Sequence, residues 1–256
     1  KIHSVTVNNL DDLQSPYPFY NAEDIQNRII YIEASRGCPF KCEFCLSALD
    51  KTSIPFNLEN FLIELEDLFS RGARNFKFVD RTFNLKIKSS QKILNFFLEK
   101  LEKDKTLADN LLIHFEIIPD RLPEQLKDLI CLFPDNCLQF EIGIQTFNAQ
   151  VQELISRKQD NIKSIENLKW LKQKSKANLH TDLIAGLPGE GWESFASSFN
   201  QLVALKPNEI QLGILKRLKG TPIIRHTNKH QLVFNQNPPY EILSTKDLSY
   251  HQLREL

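Results

Sequence analysis

Two patterns of apolar and polar positions alternate along most of the chain. Short unbroken runs of β-branched and aromatic residues recur, and between them apolar residues return every three or four positions. Runs of the first kind predict buried strands, and those of the second predict amphipathic helices. "RIIYIEA" (28–34) is the first strand. "NLENFLIELEDLFSRG" then puts Phe61, Leu62, Leu65, Leu68 and Phe69 on one broad helical face, with Asn57 as its cap and Gly72 as its stop. Further strands are predicted over 75–80, 111–118, 138–144, 178–186 and 209–215. Helices are predicted for "SSQKILNFFLEKLEK", with Ile93, Phe96, Phe97 and Leu101 inward, and over 120–133, 148–156, 161–173 and 192–205. Pro123 is tolerated near the first turn of its helix.

Six strands separated mostly by helices predict an α/β fold with a parallel sheet and helical crossovers. Glu116, Glu141 and Asp182 lie within or near the ends of three successive strands. A carboxylate there is costly unless it is paired or exposed at a mouth. Each could have one satisfied hydrogen bond, or all three could line one polar cavity. After Leu215 the pattern weakens around Gly220, Pro222, Pro238 and Pro239, with a helix expected to begin within 247–256. The expected organisation is a linker or edge segment over 1–27, a core over 28–215, and a cover or the start of another domain over 216–256.

Composition narrows the class without naming a function. The 256 residues hold 32 basic and 32 acidic side chains, so the net charge is zero and gives no signal for a nucleic-acid partner. The small basic cluster Lys216, Arg217 and Lys219 reads as a solvated face. No apolar run has the length of a membrane span, and no secretory leader is visible. A reducing, cytoplasmic setting is therefore expected, where structural disulfides are rare. The chain begins at Lys1 and contains no methionine. That reads as an unusual composition, as omitted modified methionines, or as a piece of a longer protein.

The cysteines change the picture. "ASRGCPFKCEFCLSA" places Cys38, Cys42 and Cys45 in a loop directly after the first strand. A disulfide would leave one of them free. Structural zinc would need a fourth ligand, and no Cys or His has finger spacing. A nucleophilic role for one would not explain the other two. Three thiolates suit an iron–sulfur cluster with one open iron. Cys131 and Cys137 are distant and read as buried structural thiols.

The Cys-x-x-x-Cys-x-x-Cys run, with Phe44 before its last cysteine and placed after strand one of an alternating chain, resembles the radical S-adenosylmethionine (SAM) superfamily. The likeness extends from about Ile29 to Leu215. It implies a partial (β/α)6 barrel with a less regular C-terminal segment, and a [4Fe-4S] cluster held by Cys38, Cys42 and Cys45. Its open iron would coordinate SAM. One-electron reduction would then cleave SAM to methionine and a 5′-deoxyadenosyl radical, which abstracts hydrogen from a substrate. A noncatalytic metal-binding scaffold is the competing class.

The resemblance also implies site residues. Phe44 would pack near the cluster and the adenine. "FVDRTFN" lacks the glycines of the usual segment after strand two. It leaves Asp80 for the amino group of SAM, with Thr82 or Asn84 beside it. Glu116 would contact the ribose. Glu141 would meet a ribose hydroxyl or an amide, with Gln145 and Thr146 at the same mouth. Arg157 would grip the methionine carboxylate. Ile184, Gly186 and Leu187 of "TDLIAGLPGE" would form an adenine platform, and Asp182 could reach the substrate. His114 shares a face with Glu116 and reads as structural. Together with "IQLGILKRLKGTP", these segments resemble the branch commonly preceded by a cobalamin-binding domain and followed by an uncharacterised C-terminal extension. Cobalamin would then be held by a domain absent from this chain. The implied partners are a one-electron reductant and a small-molecule or peptide substrate, with cobalamin-dependent methyl transfer as the favoured subclass.

Overall fold

The computed structural model describes residues 9–49 and 52–256. Its strands are β1 (Ile30–Ile32), β2 (Ser35–Arg36), β3 (Ile54–Pro55), β4 (Asn75–Phe78), β5 (Leu112–Ile117), β6 (Leu138–Gln145), β7 (Asn178–Ala185), β8 (Glu209–Ile214), β9 (Val233–Phe234) and β10 (Ile242–Ser244). The helices are α1 (Ala22–Asn27), α2 (Leu58–Ser70), α3 (Ile87–Lys103), α4 (Glu124–Ile130), α5 (Ala149–Leu154), α6 (Asn161–Lys174), α7 (Trp192–Ala204), α8 (Thr227–His230) and α9 (Tyr250–Glu255).

The six expected strands form one parallel sheet in the order β1-β4-β5-β6-β7-β8, each paired with the next in the chain. Sequential order with helical crossovers is how a (β/α) barrel is wound. Here it produces a partial barrel followed by the less regular segment. β2 and β3 make a short antiparallel pair flanking the cysteine loop, and β9 and β10 make another in the C-terminal segment.

Strict alternation sorts the side chains. On β6, Leu138, Phe140, Ile142 and Ile144 are buried, while Gln139, Glu141, Gly143 and Gln145 are half-buried on the opposite face. β7 repeats this with Leu179, Thr181, Leu183 and Ala185 against Asn178, His180, Asp182 and Ile184. Successive side chains on a strand point to opposite faces, so the apolar set meets the helices and the polar set faces the barrel interior. The apolar layer is rich in aromatic rings: Phe115 stacks on Phe83 with centroids 3.8 Å apart and lies 4.5 Å from Phe78.

Helix ends follow local chemistry. Asn57 Oδ1 accepts from Asn60 N at 3.1 Å to start α2, and Gly72 takes φ +104° just after α2 ends. Asn148 and Asp160 cap α5 and α6 in the same way. Pro123 stands at the N-cap of α4, just before the first turn, with an extended ψ of 157°. The first strand is shorter than its apolar run. Only Ile30–Ile32 pair with β4. Beyond them, Ala34 N donates to the Asp80 carboxylate instead of to a neighbouring strand.

The expected linker 1–27 lies partly outside the described residues. Its described part covers the free edge of β1. The Tyr20 hydroxyl pairs with Tyr31 N and O, and the Tyr17 hydroxyl pairs with Glu33 N and O. These side chains satisfy edge groups that would otherwise template another strand. Of the two thiols expected to be buried, Cys137 is buried, but Cys131 is exposed. Cys131 directly follows the last turn of α4, whose inward positions are taken by Leu126 and Ile130.

Candidate active site

The cysteine loop opens where Gly37, at φ +93°, lets the chain leave β2. Cys45 N donates to Cys42 O at 3.1 Å, which closes a turn carrying both thiols. All three cysteines are half-buried, unpaired and line one cavity of about 230 Å³ at the C-terminal ends of the strands. The same cavity is lined by Phe44, Thr82, Glu116, Glu141, Gln145, Arg157 and Asp182. Residues from the loop after β1 and from β5, β6 and β7 thus meet at one mouth. That is where (β/α) barrels carry their chemistry.

Arg157 follows α5 and turns back over the end of β6. Its Nη2 donates to Gly143 O and, at 2.9 Å, to Gln159 Oε1, while Nη1 lies 3.7 Å from Cys42 Sγ. Burial raises the Cys42 thiol pKa, and the neighbouring guanidinium opposes that rise. Gln145 adopts φ +69° at an irregularity in the β6–β7 register. Its amide lies where a side chain on residue 143 would stand, so glycine there lets the Gln145 amide lie against the strand.

The three strand carboxylates differ. Glu141 Oε2 lies 3.0 Å from His114 Nε2 and 3.3 Å from Lys77 Nζ, and these neighbours hold its carboxyl down at about 2. His114 therefore faces the interior. Burial pushes Glu116 above the usual range despite Arg81, whose Nη1 is 3.3 Å away. Burial and then the charge of Glu141 push Asp182 up to about 6. One carboxylate is firmly ionised and another close to it gives up its proton only near pH 6, a common arrangement around a bound cation or a proton transfer.

Other expected residues lie elsewhere. Asp80 is buried behind the cavity, where its oxygens accept from Ala34 N at 2.9 Å and Ser35 Oγ at 2.6 Å. It ties β4 to the segment entering the cysteine loop. Asn84 is also buried, bonded to the backbone of Ile118 and Arg121. Ile184, Gly186 and Leu187 do not line the cavity. A side chain on Gly186 would meet Ile242 Cγ2 at 2.5 Å, so this glycine admits the C-terminal segment. Thr146 is fully buried and donates to Glu190 Oε1 at 2.6 Å. Arg81, Lys158 and Gln159 line the cavity without having been singled out from the sequence. Arg81 directly follows Asp80, so the end of β4 was the available signal.

Glu190 supports a stability prediction. Its residue is 0% exposed, and burial raises its carboxyl from 4.5 to about 7. Between those values the folded chain keeps a proton that the unfolded chain has released. The stability that this group contributes is therefore fully present below about 4.5 and is lost as pH rises through about 7. Glu190→Gln is expected to remove on the order of 2–3 kcal/mol of this pH dependence, read from urea unfolding at pH 5 and pH 8.

The donor set fits an iron–sulfur cluster. Among the described residues, no three His, Cys, Asp or Glu side chains converge on a single-ion position. In a cubane each thiolate ligates a different iron, and the three soft thiol donors here open onto one cavity.

A parallel six-stranded partial barrel with three thiols at its C-terminal mouth defines a class of cofactor-dependent α/β proteins. Residues 32–202, more than half of the chain, match the model of the radical SAM superfamily, and the chain belongs to that superfamily. Residues 228–256 match a family described as a protein of unknown function, DUF4080. Over 199 residues the chain is 24% identical to ribosomal protein uS12 methylthiotransferase RimO of Pelobacter propionicus, covering 75% of this chain and 43% of the relative. The radical SAM methyltransferase TsrM of Kitasatospora setae, solved with cobalamin and a [4Fe-4S] cluster bound, superposes with a TM-score of 0.68 at 16% identity. That match covers 83% of this chain and 40% of TsrM. The cobalamin-dependent radical SAM enzyme OxsB superposes with a TM-score of 0.63 at 15% identity, covering 87% and 39%. These structural likenesses are of fold, and the chain spans less than half the length of these relatives. Among the described residues, no helix is long and apolar enough to cross a membrane.

Proposed function

We propose that Cys38, Cys42 and Cys45 hold a [4Fe-4S] cluster, that SAM binds in the adjoining cavity, and that the protein starts radical chemistry on a small-molecule or peptide substrate. The observation that carries this reading is the opening of all three thiols onto one cavity shared with Glu116, Glu141, Arg157 and Asp182. When bound and reduced by a one-electron donor, the cluster supplies the electron that cleaves the sulfonium of SAM.

The chain's own residues bind and orient. Arg157, anchored on Gly143 O and Gln159, presents a fixed cation beside Cys42 and is placed to take the carboxylate of SAM. Glu141, ionised down to about 2, is an acceptor for ribose hydroxyls, with Glu116 beside it. Asp182, raised to about 6, gains from an incoming cation, because a positive charge favours its ionised form. Phe44 gives an apolar wall. Asp80 acts from behind, by holding Ala34 and Ser35. In this organisation 28–215 carries the chemistry and 216–256 covers it. Unpaired thiols at the mouth suit a reducing compartment, the cytoplasm.

Similarity to TsrM favours cobalamin-dependent methyl transfer as the subclass, with cobalamin bound outside this chain. Anaerobic reconstitution with iron and sulfide is expected to give a cluster whose electron paramagnetic resonance spectrum changes on adding SAM, and to release 5′-deoxyadenosine or a transferred methyl group. Carbon-labelled SAM methyl appearing in product would select methyl transfer. Metal without any SAM-dependent spectral change or SAM turnover would leave a binding scaffold instead.

A further inference from the structure

One buried carboxylate ties down the loop that carries the cysteines. Glu43 lies between Cys42 and Phe44 and is 2% exposed. Its Oε1 accepts from Ser156 Oγ at 2.6 Å and from the Arg225 guanidinium, and its Oε2 accepts from His226 Nε2 at 2.8 Å. The backbone adds to the junction. Glu43 N donates to Ile155 O and Ile223 N donates to Glu43 O, each at 3.0 Å. A carboxylate this buried is stable only when donors surround it, and these donors come from two distant segments.

Both segments matter for the mouth. Ser156, held at φ +55°, directly precedes Arg157, whose guanidinium stands beside Cys42. Arg225 and His226 belong to the turn Pro222–His226, and the His226 ring packs edge-on against His230 with centroids 5.8 Å apart. His230 lies within the region of unknown function, residues 228–256, and its carbonyl accepts from Lys246 N at 2.8 Å. A continuous chain of contacts therefore runs from the C-terminal region to the cysteine turn.

We propose that Glu43 is a positioning residue through which the C-terminal segment fixes the placement of Cys42 and Cys45 for the cluster. This rests on the reading of the three cysteines as cluster ligands. It gives residues 228–256 a role in supporting the cluster, through His230 and His226. Hydrogen bonds that hold a metal ligand's support in place typically change metal affinity by about 10- to 100-fold when removed.

The test uses the full chain, reconstituted anaerobically with ferrous iron and sulfide. Glu43→Gln loses one of the two acceptor oxygens. His226→Ala removes a donor at the periphery of the junction, so it tests the idea even if Glu43→Gln does not fold. His226→Gln keeps an N–H donor. Glu43→Gln and His226→Ala are expected to lose iron to a chelator about 10- to 100-fold faster than wild type. The electron paramagnetic resonance signal of the reduced cluster should shift in both, while circular dichroism shows a folded chain. His226→Gln is expected to stay near wild type. Cys131→Ala, at an exposed thiol that does not line the cavity, should not change iron loss. Unchanged iron loss and an unchanged spectrum in both Glu43→Gln and His226→Ala would overturn the proposal, as would a fall in thermal stability alone. If wild type holds a cluster while these variants behave like it, only this inference fails. A wild-type chain that takes up no cluster sinks both readings.

Discussion

Replacing Cys42 with alanine is expected to reduce cluster iron to background and SAM cleavage by on the order of 10³-fold or more, at least about 4 kcal/mol of barrier. A cubane held by two thiolates loses an anchored corner, and no other cysteine lines the cavity to replace it. The effect should be confined to the cofactor. Cys42 is only half-buried, and its neighbour Arg157 keeps partners in Gly143 O and Gln159. Unfolding by urea should therefore change little. Cys131→Ala is the matched control, since Cys131 is exposed, lies outside the cavity, and its thiol donates to Lys174 O at 3.5 Å. Iron and sulfide analysis of the two variants side by side decides the matter. Equal iron in Cys42→Ala and Cys131→Ala would remove the cluster assignment.

The second large effect concerns the barrel wall. Phe115→Ala is expected to lower the unfolding free energy by about 3–5 kcal/mol, measured by urea denaturation at fixed pH. Phe115 is fully buried and its ring meets Phe83 at 3.8 Å, Phe78 at 4.5 Å and Phe140 at 6.3 Å. Truncation removes its own burial and the ring contacts, and it leaves a void that three neighbouring rings cannot all collapse to fill. Small domains have a total stability of only about 5–15 kcal/mol, so the loss is a large share. Phe83 follows Arg81 and Thr82, which line the cavity, so losing its stacking partner should also loosen that edge of the mouth. Leu132, 65% exposed, gives the contrast: Leu132→Ala is expected to fall within about 0.5 kcal/mol of wild type.

Much of this architecture was legible in the chain. Apolar spacing reports which side of an element is buried, so six strands, their crossover helices and the caps at Asn57 and Gly72 could be read before any contact was known. The cysteine spacing and its place after the first strand pointed to the class of chemistry, because those features are local. Glu116, Glu141 and Asp182 stood out as costly charges within strands, and the fold brings all three to one cavity.

Tertiary structure alone decided the partners of buried polar groups. Asp80 and Glu141 look alike in sequence, yet Asp80 clasps the backbone at Ala34 while Glu141 faces His114 and Lys77 in the mouth. Gly186 suggested a ligand platform, and the close approach belongs to Ile242 of the C-terminal segment. Glu43 gave no local signal, since its partner His226 is 183 positions away. Periodicity carries one bit per residue, inward or outward. Which donor satisfies a buried carboxylate depends on chain segments brought together only when the sheet and its crossovers fold.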